Sequence, residues 1–174
     1  MQLEQLMQVT TCREVIVWGR SDSELEAYKT FASGLGLHVQ TTREPEVVAR
    51  GANLIVCATP SREALLKSEW VQPGTHITAV GADAPGKQEL DPALVARANR
   101  IVVDSIYQCS QYGEVSHALK AGLIDQAQLA EIGALLAGRA PGRTHNNDIT
   151  IADLTGVAVQ DAQISRCALE SIRS

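Results

Sequence analysis

The sequence predicts a doubly wound α/β fold in which helices cover a mainly parallel sheet. Short apolar runs alternate with helical patterns along the 174 residues, which is typical of strands and helices in succession. Hydrophobic residues make up 45% of the chain and aromatic residues only 3%, so Ala, Val, Leu and Ile must fill the core. This aliphatic composition favours strands that are buried on both faces over an aromatic-rich antiparallel sandwich.

The first half of the chain begins with a short helical pattern and continues with three strands. Ser21 and Glu24 have the spacing of a capping box, which predicts the start of a helix, and Gly34 and Gly36 predict its end. Pro45 opens a second helix. The predicted elements are helices over 3–7, 21–35 and 45–50 and strands over 15–18, 38–41 and 54–57.

The second half continues the alternation. Asp91 is predicted to cap a helix whose first position is Pro92, a favoured place for proline. A polar loop over 138–147 precedes the last strand. The predicted elements are strands over 76–80, 101–103 and 149–154, helices over 115–121 and 128–136, and a long helix from Gly156 to near the end.

Charge and cysteine usage exclude several classes of protein. The net charge of −5 gives no overall attraction to nucleic acid or to an anionic membrane surface. No apolar run is long enough to span a bilayer, and the first residues lack the layout of a signal peptide, so we expect a cytoplasmic protein. The four cysteines and four histidines are widely scattered, which predicts free thiols and no metal site.

Ligands of doubly wound sheets bind beyond the carboxyl ends of the strands, and the first such turn is Gly19-Arg20-Ser21. An acidic residue at the end of the second strand of these folds holds the ribose hydroxyls of NAD, and this turn has no carboxylate. Its guanidinium and hydroxyl suit the 2′-phosphate of NADP instead. The alternative is an exposed arginine beside an ordinary helix cap.

The second unusual turn is Ala58-Thr59-Pro60-Ser61-Arg62. Its small residues and hydroxyls would let the end of a sheet lie close to a cofactor ribose. The alternative is a simple turn from strand to helix, with Ser61 as the N-cap.

The third turn lies in the run VGADAPGKQEL, residues 80–90. A carboxylate on a turn rich in Gly and Pro, here Asp83, can serve as an acid, a base or a partner for an ammonium group. The alternative is that Asp83 only forms the turn.

These segments together resemble the ornithine cyclodeaminase/mu-crystallin family. The likeness runs over essentially the whole chain, and the VGADAPGKQEL run is its most specific part. The matching stretches are VIVWGRS (15–21), ANLIVCATPSRE (52–63), PGTHITAVGADAPGKQELD (73–91), NRIVVDS (99–105) and DITIADLTGVAVQD (148–161).

The resemblance implies a Rossmann-type domain that binds NAD or NADP in a protein acting on amino acids or cyclic imines. With Arg20 and Ser21 at the adenosine phosphate, NADP(H) is favoured over NAD(H). Asp83 matches an aspartate regarded as catalytic, near the substrate nitrogen and the nicotinamide. The residues that the resemblance assigns to cofactor binding are Gly19, Arg20, Ser21, Thr59, Pro60, Ser61, Gly81, Thr155, Gly156 and Val157.

The turn at Thr155-Gly156-Val157 also has a physical argument of its own. The amino end of a helix that begins at Gly156 would offer free N–H groups and partial positive charge to a carboxamide or an anion. Capping alone is the alternative explanation for Thr-Gly at a helix start.

The resemblance further implies that several family features would precede residue 1. Members have an N-terminal substrate and dimerisation domain, then a first strand and a glycine-rich turn that holds the pyrophosphate. We therefore expect residues 1–174 to be a partial cofactor domain. Since the first strand is central in the 3-2-1-4-5-6 order, its absence would divide the sheet in the middle. Three outcomes are then open: the two halves close up, a partner chain fills the gap, or exposed strand edges remain.

Two functional hypotheses follow. In the first, the chain is the cofactor domain of an NADP-dependent imine reductase or a cyclodeaminase. Its partner is then a small amino or imino acid, and a homo-oligomer is left open. In the second, the chain is a non-catalytic truncated module that keeps the fold for binding or assembly only.

Overall fold

Residues 2–173 are described by the structure, a computed structural model. The chain divides into two compact units, Met1–Ala52 and Asn53–Ser174, which are called the N-terminal and the C-terminal unit below.

The N-terminal unit holds one pair of parallel strands, with one helix between them in the chain, one before them and one after them. Its elements are α1 (Gln2–Leu6), β1 (Glu14–Trp18), α2 (Asp22–Gly34), β2 (His38–Thr42) and α3 (Pro45–Gly51). The two strands pair in register from Glu14 opposite His38 to Trp18 opposite Thr42. Helix α2 begins where the Ser21 hydroxyl accepts a hydrogen bond from the backbone N–H of Glu24 at 3.5 Å, as the sequence predicted.

The C-terminal unit is built on a parallel sheet of five strands in the order β3-β5-β9-β7-β8. Two short strands, β4 and β6, pair with each other in parallel. The elements are β3 (Leu54–Cys57), β4 (Arg62–Leu66), β5 (His76–Ala79), β6 (Gln88–Leu90), α4 (Pro92–Arg97), β7 (Arg100–Val103), α5 (Ile106–Cys109), α6 (Glu114–Lys120), β8 (Leu129–Glu131), α7 (Ile132–Leu136), β9 (Thr150–Asp153) and α8 (Ala158–Arg173).

Aliphatic side chains fill the core of the C-terminal unit, as the composition predicted. Ile77 on β5 and Ile151 on β9 are completely buried, and Leu94 on α4 and Val115 on α6 are buried equally deeply. The predicted fold class, an α/β fold with a parallel Rossmann-type sheet, is confirmed. In the described part of the chain, no helix has the length and hydropathy needed to cross a membrane.

The strands divide among separate sheets: β1 and β2 form a sheet of two, and the five-stranded sheet is formed within the C-terminal unit. The strands at 15–18, 38–41, 54–57, 76–80, 101–103 and 149–154 are all present within one or two residues of their predicted limits.

Three local predictions were wrong. Ser61 does not cap a helix, because the chain continues into β4, where Arg62 lies opposite Gln88 of β6. The helix expected from residue 128 is replaced at its start by β8, which pairs with β7, so strand pairing between distant segments overrides helical periodicity there. Helix α8 begins at Ala158, because Gly156 has a φ of +84°, which breaks the helical path.

Candidate functional site

The parallel register brings the ends of four strands of the C-terminal unit side by side. Cys57 of β3 lies opposite Ala79 of β5, which lies opposite Asp153 of β9, and Asp153 also lies opposite Val103 of β7. The turns that follow these residues therefore start at one edge of the sheet. Most residues that the sequence assigned to a site, from Thr59 to Val157, belong to these turns.

The turn after β3 is held by the hydrogen bonds of Thr59. Its backbone N–H donates to Oε1 of Glu89 at 2.7 Å, and its hydroxyl accepts a bond from the backbone N–H of Ser61 at 3.3 Å. The Ser61 hydroxyl donates to the backbone carbonyl of Glu63 at 2.8 Å. Pro60 between them is exposed. These bonds define the turn and leave Pro60 at the surface.

The turn after β5 begins with a close approach that only glycine allows. A Cβ atom on Gly81 would lie 2.2 Å from Oε2 of Glu89 and 2.2 Å from the backbone carbonyl oxygen of Thr59. The backbone N–H of Gly81 donates to the same Oε2 at 3.0 Å. The Gly81 and Thr59 turns thus lie against each other, with the Glu89 carboxylate bonded to both.

Asp83, the predicted catalytic residue, lies in the same turn with its side chain about half exposed. Its Oδ1 accepts a bond from Nζ of Lys87 at 2.5 Å, and the side chain is 52% exposed. The backbone carbonyl of Lys87 lies 2.9 Å from Nε2 of His117 on α6, and this contact helps to position the lysine. The Asp83 carboxylate is therefore partly open to solvent and paired with the Lys87 ammonium group.

Behind these turns lies a set of buried carboxylates that sequence reasoning missed. Glu89 and Glu114 are completely buried, and Asp153 is almost completely so. The Glu114 oxygens accept bonds from the backbone N–H groups of Glu89 at 2.7 Å and Leu90 at 2.9 Å. Oδ2 of Asp153 accepts from the backbone N–H of Val115 at 2.9 Å. The one signal in the sequence was the position of Asp153, a charged residue at the end of a predicted buried strand.

Burial controls the protonation of this set. Desolvation, together with the nearby Asp153 and Glu89 carboxylates, raises the pKa of Glu114 to about 8 in spite of the hydrogen bonds from Leu90 and Glu89. Desolvation, together with the Asp104 and Glu89 carboxylates, raises the pKa of Asp153 to about 7, although backbone hydrogen bonds from Val115 and Glu114 lower it. The pKa of Glu89 is also raised by burial, and its bonds from Thr59 and Gly81 oppose the rise.

The turn after β9 is fixed by Asp104 at the end of β7. Its Oδ2 accepts from the backbone N–H of Gly156 at 2.7 Å, and its Oδ1 accepts from the Thr155 hydroxyl at 3.2 Å. Nε2 of Gln108 also donates to the Thr155 hydroxyl at 2.9 Å. The expectation of a free N–H at Gly156 was wrong, because Asp104 already accepts from it. Val157 follows the turn and is partly buried.

The thiol of Cys109 contacts the same turn and is unreactive at neutral pH. It donates to Oδ1 of Asp104 at 3.1 Å and lies 3.5 Å from the Thr155 hydroxyl. Burial, with the carboxylates of Asp153 and Asp104, raises the pKa of Cys109 to about 12. A thiol this weakly acidic is not a nucleophile at neutral pH.

In the N-terminal unit, Gly19, Arg20 and Ser21 follow β1 as predicted. Gly19 is packed against the Leu25 side chain, and its backbone N–H donates to the carbonyl of Thr42 at 3.3 Å. Arg20 is exposed, and the Ser21 hydroxyl is engaged with the start of α2. The Arg20 guanidinium is therefore accessible to an anion from solvent.

Among residues 2–173, no group of three or more His, Cys, Asp or Glu side chains is arranged to hold a metal ion. The site has small residues and hydroxyls at strand ends and one exposed carboxylate, that of Asp83. This set of groups fits an organic cofactor with ribose hydroxyls and a carboxamide better than a metal ion.

A sequence model described as the ornithine cyclodeaminase/mu-crystallin family matches residues 1–174. Among solved structures, the iminosuccinate reductase of Paracoccus denitrificans in complex with NAD⁺ is 41% identical, with a TM-score of 0.91 over 97% of this chain and 52% of that one. An archaeal alanine dehydrogenase dimer with bound NAD is 36% identical, with a TM-score of 0.89 over 95% of this chain and 51% of that one.

A third structure is the Δ(1)-pyrroline-2-carboxylate reductase of Thermococcus litoralis in complex with NADH and L-proline. It is 27% identical, with a TM-score of 0.92 over 97% of this chain and 53% of that one. The chain spans about half the length of the curated relatives it matches, for example 52% of the Paracoccus enzyme and 53% of the alanine dehydrogenase of Archaeoglobus fulgidus.

Proposed function

This chain belongs to the ornithine cyclodeaminase/mu-crystallin family, and from that premise we propose that it binds a nicotinamide dinucleotide for an oxidoreductase acting on amino or cyclic imino acids. The observation that carries the proposal is the gathering of the Thr59, Gly81 and Thr155 turns at one edge of the parallel sheet, with the exposed Asp83 carboxylate in one of them. Ligands of such sheets bind beyond this edge.

Each unit has its own proposed cofactor contacts. In the C-terminal unit, the turns at Thr59-Pro60-Ser61, Gly81 and Thr155-Gly156-Val157 would receive the nicotinamide end. In the N-terminal unit, Gly19-Arg20-Ser21 would receive the adenosine end. When bound, the dinucleotide supplies or accepts a hydride, which is chemistry that no protein side chain provides.

Asp83 is proposed as the catalytic residue. Its exposed carboxylate can hold a substrate ammonium or iminium group or carry the proton that such a nitrogen gains or loses. Lys87, which is bonded to it, would keep the carboxylate oriented when the substrate is absent. Gly81, two residues earlier, lets this turn lie against the Thr59 turn, so Asp83 belongs to the same group of turns as the proposed cofactor contacts.

The choice between NADP and NAD is a finer part of the proposal. Arg20 and Ser21 favour the 2′-phosphate of NADP, since an exposed guanidinium follows β1 and the turn has no carboxylate for a ribose hydroxyl. The three similar structures contain NAD or NADH, which weighs against that preference. Titration with both cofactors decides between them.

The alternative of a non-catalytic module gains no support, because the relatives are reductases and a dehydrogenase. We further propose that residues 1–174 form part of the cofactor domain of a larger family member. A dimer is consistent with the dimeric archaeal alanine dehydrogenase. A cytoplasmic location is consistent with the free thiols of Cys12, Cys57, Cys109 and Cys167.

Isothermal titration calorimetry tests the proposal. The purified chain is titrated with NAD⁺, NADH, NADP⁺ and NADPH, and we expect measurable affinity for at least one of the four. Asp83→Asn should leave this affinity unchanged, because the side chain faces the substrate nitrogen in the proposal. Failure of all four dinucleotides to bind the folded chain would contradict the proposed function.

A further inference from the structure

The Glu89 carboxylate joins two of the strand-end turns. Oε1 accepts the backbone N–H of Thr59 at 2.7 Å and Oε2 accepts that of Gly81 at 3.0 Å. Because the two oxygens belong to one rigid planar group, these bonds fix the separation of the two amides. The turn after β3 and the turn after β5 are thereby held as one body.

This arrangement is costly for a group that serves only to fill the core. The Glu89 side chain is completely buried, and burial of a carboxylate carries a large desolvation penalty. Burial also raises its pKa, which the bonds from Thr59 and Gly81 counteract. An apolar side chain of the same size would fill the space at lower cost but leave two buried backbone donors without acceptors.

The space around the carboxylate is closed on the side of Gly81. A Cβ at that residue would overlap both Oε2 of Glu89 and the carbonyl oxygen of Thr59, at 2.2 Å each. The two turns therefore approach each other as closely as their backbones allow. A small displacement of the carboxylate would separate them.

A second layer of carboxylates holds Glu89 itself. The backbone N–H groups of Glu89 and Leu90 donate to the buried Glu114 at the start of α6. The next residue of that helix, Val115, donates its backbone N–H to Asp153 at the end of β9. These hydrogen bonds connect Glu89 through α6 to β9, the central strand of the five-stranded sheet.

We propose that Glu89 is a positioning residue for the cofactor site: it sets the separation of the Thr59 and Gly81 turns before any cofactor binds. The inference rests on the proposed function, since it concerns the same site. Glu89 does not reach the surface, so it acts through the two backbone amides and touches neither cofactor nor substrate.

Glu89→Gln is the direct test. The amide group keeps the size of the carboxyl but faces one of the two N–H groups with its own donor, so one bond is lost and the turns move apart. We expect the affinity for the dinucleotide that the unaltered chain binds best to fall by roughly tenfold or more in calorimetry. Glu63→Gln, on the exposed start of β4, should leave affinity unchanged.

A variant that is destabilised elsewhere in the core distinguishes a loss of affinity caused by misplaced turns from one caused by lower stability. Leu94→Ala opens a cavity in the core at α4 and lowers stability, and it changes none of the side chains that hold the two turns. Under conditions where all variants are folded by circular dichroism, we expect Leu94→Ala to keep its affinity within about twofold. Equal loss of affinity in Leu94→Ala and Glu89→Gln would overturn the inference, as would full affinity in Glu89→Gln.

Amide hydrogen exchange in the unaltered chain gives a measurement that needs no variant. We expect the amides of Thr59 and Gly81 to be protected in the free protein and to stay so on addition of cofactor. Rapid exchange in the free protein, with protection only after cofactor binds, would overturn the inference while leaving the proposed function intact. Absence of binding by the unaltered chain would instead contradict the proposed function.

Discussion

Oδ2 of Asp104 accepts a hydrogen bond from the backbone N–H of Gly156 at 2.7 Å, across 52 residues of sequence. The bond ties the end of β7 to the turn after β9. The Glu89 carboxylate likewise ties the turn after β3 to the turn after β5, because it accepts from the backbone N–H groups of Thr59 and Gly81. Carboxylates that accept from backbone amides are therefore the means by which the C-terminal unit holds the turns at its sheet edge.

Asp104→Asn is predicted to loosen the turn at Gly156. One carboxylate oxygen becomes an amide NH₂, which cannot accept a hydrogen bond. The variant therefore loses either the bond from the Gly156 N–H or the bonds from the Thr155 hydroxyl and the Cys109 thiol. Because hydrogen bonds to charged groups contribute more than neutral ones, we expect a loss of about 1–3 kcal/mol in the free energy of unfolding. Urea denaturation measures it.

The control for this change is Asp161→Asn, in the exposed first turn of α8. It removes only a favourable interaction with the helix dipole and should cost no more than about 0.3–1 kcal/mol. Equal stability of Asp104→Asn and the unaltered chain would show that the tie to Gly156 contributes nothing.

Gly81→Ala is predicted to be strongly destabilising although it adds one methyl group. The new Cβ would meet the Thr59 carbonyl oxygen and the Glu89 carboxylate at 2.2 Å, and the carboxylate cannot withdraw without breaking its hydrogen bonds from Thr59 and Gly81. We expect a loss of about 3 kcal/mol or more, the upper range for overpacking. Thermal or urea unfolding provides the measurement.

Gly133→Ala is the matched control. Gly133 lies in α7 with open space where a Cβ would stand. Alanine there should leave stability unchanged or raise it by about 0.5–1 kcal/mol, because it restricts the unfolded chain in a helical position. If both alanine variants were equally stable, the close approach at Gly81 would not be a constraint.

Stability is predicted to fall as the pH rises through the range in which the buried carboxyls ionise. The pKa of Glu114 is raised from 4.5 to about 8, and that of Asp153 from 3.8 to about 7. A carboxyl whose pKa is higher in the folded chain favours folding while it is protonated. Its contribution is fully present below about pH 4 and is lost as the pH rises to about 8.

Glu114→Gln tests this pH dependence, since glutamine carries no charge at any pH. The free energy of unfolding should fall less between about pH 5 and 8 in this variant than in the unaltered chain, by on the order of 2 kcal/mol. Urea unfolding at a series of pH values measures both profiles. Glu63→Gln, at an exposed position, should keep the original slope, and parallel profiles for Glu114→Gln would contradict the prediction.

Arg20→Gln is predicted to change cofactor selectivity, within the proposed function. Removing the exposed guanidinium should lower affinity for NADPH by roughly tenfold and leave affinity for NADH within about twofold, because only NADPH carries the 2′-phosphate. Calorimetric titration of both cofactors measures the change. Arg50→Gln, which removes an arginine paired with Glu46 on α3, is the control. An equal loss for both cofactors would refute the 2′-phosphate assignment.

Local signals predicted six strands and most helix starts correctly, but they did not predict the short strands β4, β6 and β8. The Val15–Val17 run, the Ser21 cap and the Asp91-Pro92 start all depend on neighbours within a few residues, and the structure has each of them. Residues 128–136 were assigned wrongly because β8 forms by pairing with β7, which lies more than twenty residues earlier. The periodicity of a short segment contains no information about such a partner.

By itself, the sequence determined the α/β class, the aliphatic core and the turns in which a site should be sought, because apolar alternation and turn chemistry are short-range properties. Only the tertiary structure decided which turns meet and what holds them. Glu89 lies 30 residues from Thr59, and Asp104 lies 52 from Gly156. Such contacts follow from strand order and register, which bring distant backbone amides to a buried carboxylate.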